Sequence, residues 1–196
     1  MMLPRLHAVT DDRVLGLPDF LERAHAVALG PAVALHVRTR RAGRFALTVT
    51  ERLVALARAS DTLVIVNDRI DVALLAGADG VHLPEAGCDA RAVQRLGPSL
   101  LTGRSAHTIE ASRPPNADWV FLGPIWPTRS HPDRPALGPE ALAQAGERTV
   151  AIGGVTPRRA RDAARRGAAG VAVLSALWDA ADSGAAARAL LLSFER

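Results

Sequence analysis

Eight short apolar runs, each followed by a polar loop or a stretch of helical periodicity, recur from one end of the chain to the other. They are Leu6–Thr10, Ala32–Arg38, Thr62–Asn67, Gly80–Leu83, Leu100–Ser105, Trp119–Gly123, Thr149–Gly154 and Gly170–Leu174. Two inner ones, Leu63-Val64-Ile65-Val66 and Val171-Ala172-Val173-Leu174, are apolar at every position rather than at alternate ones. Strands of that kind are covered on both faces, which is the habit of a parallel sheet. Helical patterns intervene over Pro18–Leu29, Arg44–Ala59, Ile70–Ala78, Pro157–Arg166 and Ala185–Phe194. Their ends carry chemical punctuation. Thr156-Pro157 supplies an N-cap and a first-turn proline, Ser183 precedes the last helix, and Gly30, Gly77 and Gly167 stand where a left-handed residue closes a helix. The tally is that of a single (β/α)8 TIM barrel spanning residues 1–196, at the short end of the usual size. A doubly wound open sheet with fewer strands is the alternative, because the fourth to sixth helices look short.

Composition narrows the function classes. The chain has 196 residues, 48% of them hydrophobic, which is material for one core and excludes global disorder. All 24 basic residues are Arg, so the pI near 11.0 reflects guanidinium chemistry rather than a large excess of charge, which is only +4. The arginines are dispersed, and the densest stretch, Arg158 to Arg166, is helical in pattern, so no nucleic-acid partner is expected. Without lysine, Schiff-base catalysis is closed to this chain. Cys88 is the lone cysteine, which fits a reducing compartment and rules out a disulfide framework. No run reaches the ~18 apolar residues of a membrane span. Met1 to Asp12 lacks the pattern of a signal peptide, so a cytoplasmic protein without membrane contact is expected.

In a parallel barrel the catalytic residues stand at the C-terminal ends of the strands. Those ends offer Thr10, Asp11 and Asp12; His36, Arg38 and Arg40; Asn67 and Asp68; His82 and Glu85; Ser105 and His107; Thr128, Ser130 and His131; Gly153 and Gly154; and Ser175. The spacing of two predicts that His36, Arg38 and Arg40 share one face, where the two guanidiniums would clamp a phosphate or pyrophosphate. Gly153-Gly154 would let backbone amides approach an anion without any lysine. Each feature also has a plainer reading. The triplet suits the solvent face of an edge strand, the double glycine a tight turn, His82 and His107 hydrogen-bonded core positions, and Asp68 the N-cap of the next helix. The loop Pro124 to Leu137 follows the sixth strand and is expected on the catalytic rim.

Seven blocks, taken in order, resemble the thiamine phosphate synthase/TenI superfamily. They are Leu6-His7-Ala8-Val9-Thr10-Asp11-Asp12, His36-Val37-Arg38, Val66-Asn67-Asp68, Ala78-Asp79-Gly80-Val81-His82-Leu83, Gly103-Arg104-Ser105-Ala106-His107, Leu122-Gly123-Pro124-Ile125-Trp126-Pro127-Thr128 and Ala151-Ile152-Gly153-Gly154-Val155. The resemblance implies a (β/α)8 barrel and two branches of chemistry. Synthases join hydroxymethylpyrimidine pyrophosphate to thiazole phosphate, with Mg²⁺ and cationic side chains taking the departing pyrophosphate. By that resemblance Arg38, Arg40 and His131 would bind pyrophosphate, Ser105 would be a catalytic residue, Asn67, Thr128 and Ser130 would bind substrate, and Asp68 and Glu85 would hold Mg²⁺. Gly153, Gly154 and Ser175 would bind the thiazole phosphate. The chain departs from the synthase pattern at His36, where a Gln is usual. It departs again at Arg40 and His131, where Lys is usual, and at Gly87, where the second metal carboxylate is expected.

TenI-like proteins bind the same thiazole phosphate, and some move a proton on it. This chain resembles them better at Leu6–Asp12, His36-x-Arg38-x-Arg40, Leu83-Pro84 and Gly103–His107, although Pro124 stands where their proton-transfer histidine is expected. The favoured expectation is therefore a TenI-like, thiazole-tautomerase-type protein needing no metal, with His36, His82 or His107 as general acid/base at ordinary imidazole pKa values. A synthase using Mg²⁺ is the alternative. The third reading is a protein that binds thiazole phosphate without turning it over. A homo-oligomer is compatible with the sequence.

Overall fold

The computed structural model describes residues 3–114, 116–128, 130 and 133–194. Eight parallel strands close on themselves in sequence order: β1 (Leu6–Val9), β2 (Val33–Val37), β3 (Leu63–Asn67), β4 (Gly80–Leu83), β5 (Leu101–Ala106), β6 (Trp119–Leu122), β7 (Thr149–Ile152) and β8 (Gly170–Val173). The seam is made by β8 on β1, with Leu6 against Val171 and Ala8 against Val173. The open-sheet alternative is thereby excluded, and the (β/α)8 fold expected from the alternation is the one found.

Around the barrel run α1 (Phe20–Ala28), α2 (Gly43–Ala57), α3 (Ile70–Ala76), α4 (Ala90–Leu96), α5 (Pro157–Arg165), α6 (Ser175–Trp178) and α7 (Ser183–Leu191). After β5 and β6 the helical connection shrinks to single 3-10 segments, Glu110–Ser112 and Pro139–Gln144, in keeping with the short helices expected there. Among the described residues no helix is long and apolar enough to cross a membrane. Two caps differ from expectation. Asp182, not Ser183, caps α7 by accepting from Ala185 N–H at 2.8 Å; Ser183 is already the first helical residue, and the extended backbone that a cap needs stands at Asp182. Gly30 does not adopt a left-handed conformation, whereas Gly77 and Gly167 do. Thr156 caps α5 as expected, accepting from Arg159 N–H at 3.3 Å.

Each strand divides its side chains between two cores. Leu6 and Ala8, Leu35 and Val37, Val64 and Val66, Val120 and Leu122 face the helices. Val9, Ala34, Ile65, Trp119, Phe121, Val150 and Ala172 fill the barrel interior, together with the imidazoles of His7, His36 and His82. At the N-terminal end of the barrel an aspartate precedes β4 and another precedes β6. Asp79 accepts from Val64 N–H and Asp118 from Thr102 N–H, both at 2.7 Å, so each ties its own strand to the one before it.

Trp119 is fully buried and owes its place to a missing Cβ on the neighbouring strand. A Cβ on Gly103, whose Cα is paired with Trp119 in the β5–β6 register, would lie 2.1 Å from the indole Cε2. Gly103→Ala is therefore expected to drive the indole from its position and destabilise the protein by about 1–3 kcal/mol, read as a lowered urea midpoint and altered tryptophan fluorescence. Unchanged values would mean that the barrel interior has slack that the geometry denies.

Candidate active site

The exits of β1 and β2 are locked together by Thr10. Its hydroxyl donates to His36 O at 2.7 Å and accepts from Arg38 N–H at 3.1 Å. Arg38 continues the inward series Ala34, His36 and is half-buried, and among the described residues its guanidinium makes no hydrogen bond. Arg40 departs from the expected common face. β2 ends at Val37, and the following turn folds onto Asp12, which accepts from the Thr39 hydroxyl and from Arg40 N–H at 3.2 Å. The Thr39 hydrogen bond foremost, then Arg40 N–H and the Arg41 and Arg38 charges, hold the Asp12 carboxyl below its usual range. Arg40 is left exposed.

At the end of β3, Asn67 is half-buried, and its Oδ1 is buried without a hydrogen-bond partner among the described residues. Asp68 sits at φ 65°, in the left-handed region that side chains other than Gly, Asn and Asp rarely enter. Its N–H donates to His82 O at 2.9 Å, which fixes the turn. Asp68 is not the cap of α3. That place belongs to Arg69, whose guanidinium turns to Asp71, so the Asp68 carboxylate is exposed and unengaged among the described residues.

Glu85 and His107 form a second group. Glu85 Oε1 accepts from His107 N–H at 3.1 Å, its Oε2 lies 4.0 Å from His107 Nε2, and His107 Nδ1 is 2.7 Å from Gly123 O. The loop carrying Glu85 is gripped by Arg104, which donates to the carbonyls of Glu85, Gly87 and Cys88. Ser105 Oγ lies 2.9 Å from His82 Nε2.

The loops after β6 and β7 interlock. Ile125 N–H donates to Ile152 O at 2.8 Å and Trp126 N–H to Gly153 O at 3.2 Å. Leu137 and Gly138 donate back to Pro124 and Ile125, so the long loop is pinched shut at its base. Gly153 and Gly154 both have positive φ, and a Cβ on either would come within 2.6 Å of this neighbouring loop. Among the described residues the N–H groups of Gly153, Gly154 and Ser175 donate no hydrogen bond. Thr128 is half-buried, and Ser130 is exposed with its N–H on Thr128 Oγ1 at 3.4 Å. His131 lies outside the described residues.

Two of the three candidate imidazoles lie deep in the barrel, and for His82 this is the plainer reading of a hydrogen-bonded core position. His36 is 0% exposed and His82 2%. Burial pushes His36 down to about 3 and holds His82 well below an ordinary imidazole, the neighbouring His36 adding to the effect. Ordinary titration near neutrality is thus corrected for both, because a charged imidazole loses its hydration inside the barrel. Sequence reasoning also passed over two members of this cluster. His7 sits 2.9 Å from His36 Nε2 through Nδ1, and Trp119 donates Nε1–H to His82 Nδ1 at 3.2 Å. The signal for both was their inward parity on β1 and β6, which a search for polar strand ends does not examine.

A profile of the family described as thiamine monophosphate synthase (TMP-TENI) matches residues 6–177. The chain belongs to this family. It is 42% identical over 192 residues to the thiamine-phosphate synthase of Anaeromyxobacter dehalogenans, covering 93% of this chain and 86% of that one. It is 36% identical over 195 residues to the thiamine-phosphate synthase of Roseiflexus castenholzii, covering 94% and 86%. The solved thiamine phosphate pyrophosphorylase from Pyrococcus furiosus superposes with a TM-score of 0.83 at 29% identity, covering 97% of this chain and 95% of that one. The relatives carry the synthase name, which favours the synthase alternative over the tautomerase reading.

Membership of the thiamine monophosphate synthase family raises the question of Mg²⁺. Gly87, at the position of the expected second carboxylate, closes a turn in which its N–H donates to Pro84 O, and a Cβ there would meet Pro84 Cδ at 2.9 Å. Among the described residues no cluster of three His, Cys, Asp or Glu side chains could hold a metal by itself. The unengaged Asp68 carboxylate, with Glu85 keeping one oxygen clear of hydrogen bonds, still fits Mg²⁺. This ion commonly keeps several waters and takes one or two carboxylates besides substrate phosphate oxygens.

The buried imidazoles set the acid response of this family member. His7, His36 and His82 are neutral when folded, because desolvation lowers all three, but bind protons when unfolded below about pH 6.5. The unfolded state then carries more protons, so stability falls with falling pH, by up to about 1.4 kcal/mol per unit for each imidazole. Urea midpoints are expected to drop steadily from pH 7 to pH 5, and the slope to be shallower in a His36→Gln variant. A flat profile would mean that the imidazoles titrate in the folded barrel.

Proposed function

We propose that the protein is a thiamine phosphate synthase, which joins hydroxymethylpyrimidine pyrophosphate to thiazole phosphate and releases pyrophosphate. The observation that carries this reading is the set of unengaged groups at one end of the barrel. These are the Arg38 guanidinium, the Asp68 carboxylate, and the N–H groups of Gly153, Gly154 and Ser175. Cations and amide donors at one rim suit two phosphorylated substrates.

In this mechanism the C–O bond between the pyrimidine methylene and pyrophosphate breaks, with the electron pair leaving on oxygen. The thiazole nitrogen then donates its lone pair to the methylene carbon. No proton has to be removed, so the reaction asks for charge stabilisation and positioning rather than for a general base. Arg38 and Arg40, with His131, take the departing pyrophosphate. Asn67, Ser105, Thr128 and Ser130 orient the substrates, and the amides of Gly153, Gly154 and Ser175 hold the thiazole phosphate. Asp68 and Glu85 hold Mg²⁺, which when bound neutralises charge on the leaving group. The loop Pro124 to Leu137, pinched at its base, shields the methylene cation from water.

Proton transfer on thiazole phosphate has weaker support. His36 and His82 are buried and neutral, and His107 alone of the three candidates reaches the rim, with Nδ1 already against Gly123 O. The decisive experiment supplies both substrates with and without Mg²⁺. Thiamine phosphate and pyrophosphate are expected in equal amounts, with loss of turnover on chelation. Asp68→Asn and Arg38→Ala are expected to lower kcat on the order of a hundredfold or more. Saturable binding of thiazole phosphate without conversion would overturn the synthase reading in favour of a binding protein, and proton exchange on the thiazole alone would favour the tautomerase.

A further inference from the structure

Trp119, His82 and Ser105 make a connected line of polar atoms from the barrel interior to the rim. Trp119 Nε1 is 3.2 Å from His82 Nδ1, and His82 Nε2 is 2.9 Å from Ser105 Oγ. The register sets Gly103 between His82 and Trp119, whose rings stack at a centroid distance of 6.2 Å, and Ser105 lies two residues further along β5 towards the rim. Ser105 is half-buried, while Trp119 and His82 are buried.

The direction of every proton in this line follows from the chemistry of its members. An indole nitrogen can only donate, so His82 Nδ1 is an acceptor. With Nδ1 taken up as an acceptor in a buried ring, the imidazole is neutral and its single proton is on Nε2. That proton points at Ser105 Oγ. A hydroxyl that accepts on one side still has its own proton to give, and among the described residues Ser105 Oγ has no partner other than His82. The opposite tautomer would set two N–H donors against each other in a dry interior, which buried polar groups avoid.

We propose that Trp119 is a positioning residue: its indole N–H confines the His82 proton to Nε2, and this turns the Ser105 hydroxyl proton towards the bound substrate as a donor. The inference rests on the synthase reading for the identity of that substrate, but the proton arrangement is a property of the protein alone. A rim donor placed where negative charge develops on the substrate strengthens in the transition state. Its loss therefore lowers kcat more than it raises KM.

The test combines imidazole ¹⁵N spectroscopy with a double-mutant cycle. In the unaltered protein the His82 resonances are expected to show protonated Nε2 and unprotonated Nδ1. Trp119→Phe, which keeps a ring and removes the N–H, is expected to give a mixture of tautomers and to lower kcat on the order of tenfold with little change in KM. Ser105→Ala is expected to cost on the order of a hundredfold. In that background Trp119→Phe is expected to add nothing, because its effect passes through the missing hydroxyl. A His82 proton on Nδ1 in the unaltered protein would overturn the proposal, even if Trp119→Phe failed to fold. So would a Trp119→Phe effect on kcat that is absent or fully additive with Ser105→Ala. Absence of product from the unaltered protein would overturn the synthase reading instead, and the tautomer measurement would still decide the proton arrangement.

Discussion

An eight-stranded parallel sheet closed into a barrel has an interior that only its own inward side chains can fill, and here that filling is aromatic and hydrogen-bonded. Trp119 occupies space left by Gly103, Phe121 packs under His82 at a ring-centroid distance of 4.0 Å, and His7 and His36 face each other at hydrogen-bond distance. Most small barrels meet this demand with aliphatic layers. Using imidazoles instead obliges the protein to keep them neutral, which burial achieves, and their nitrogens are paired only in part, His7 Nε2 and His36 Nδ1 having no hydrogen-bond partner among the described residues. The interior and the candidate site are thus one construction, because the side chain that fills one layer touches the polar group of the next.

The rim depends on a second constraint, the close approach of the loops after β6 and β7. Their backbones exchange hydrogen bonds through Ile125, Trp126, Ile152 and Gly153, and Arg159 closes the joint by donating to Gly154 O and lying over the Trp126 ring. Side chains at Gly153 and Gly154 would force the loops apart. The same two glycines leave their N–H groups without an acceptor among the described residues, so tight packing and unengaged amide donors arise from one backbone arrangement.

Arginine replaces lysine throughout, and the rim shows what that changes. A guanidinium forms several directed hydrogen bonds at once, as Arg104 does in gripping three carbonyls of the loop that carries Glu85. A family position expected to bear a carboxylate is Gly87 in that same loop, turned tightly on Pro84. The acidic groups near the rim are therefore presented by two different devices. Asp68 depends on a left-handed backbone, and Glu85 on a clamped loop whose carboxylate also holds His107.

The eight-fold alternation, the continuously apolar strands, the Thr156 cap and the two left-handed glycines after α3 and α5 were legible in the amino-acid order alone, because each expresses a local rule: side-chain parity, capping geometry or the absence of a Cβ. So was the family, carried by short blocks at successive strand ends. Local rules do not report what faces a residue across the barrel. His36 and His82 look like available imidazoles in the sequence, yet closure of the sheet strips them of water and removes their charge. Arg40 has the spacing of a strand residue but lies beyond the strand end, where Asp12 captures the turn, and Asp68 yields the helix cap to Arg69. Trp119 acquires a role only through Gly103 and His82, residues of other strands. Sequence thus determined the elements and their order, while burial, tautomer and partnership were decided by tertiary structure, because they depend on distances between residues far apart in the chain.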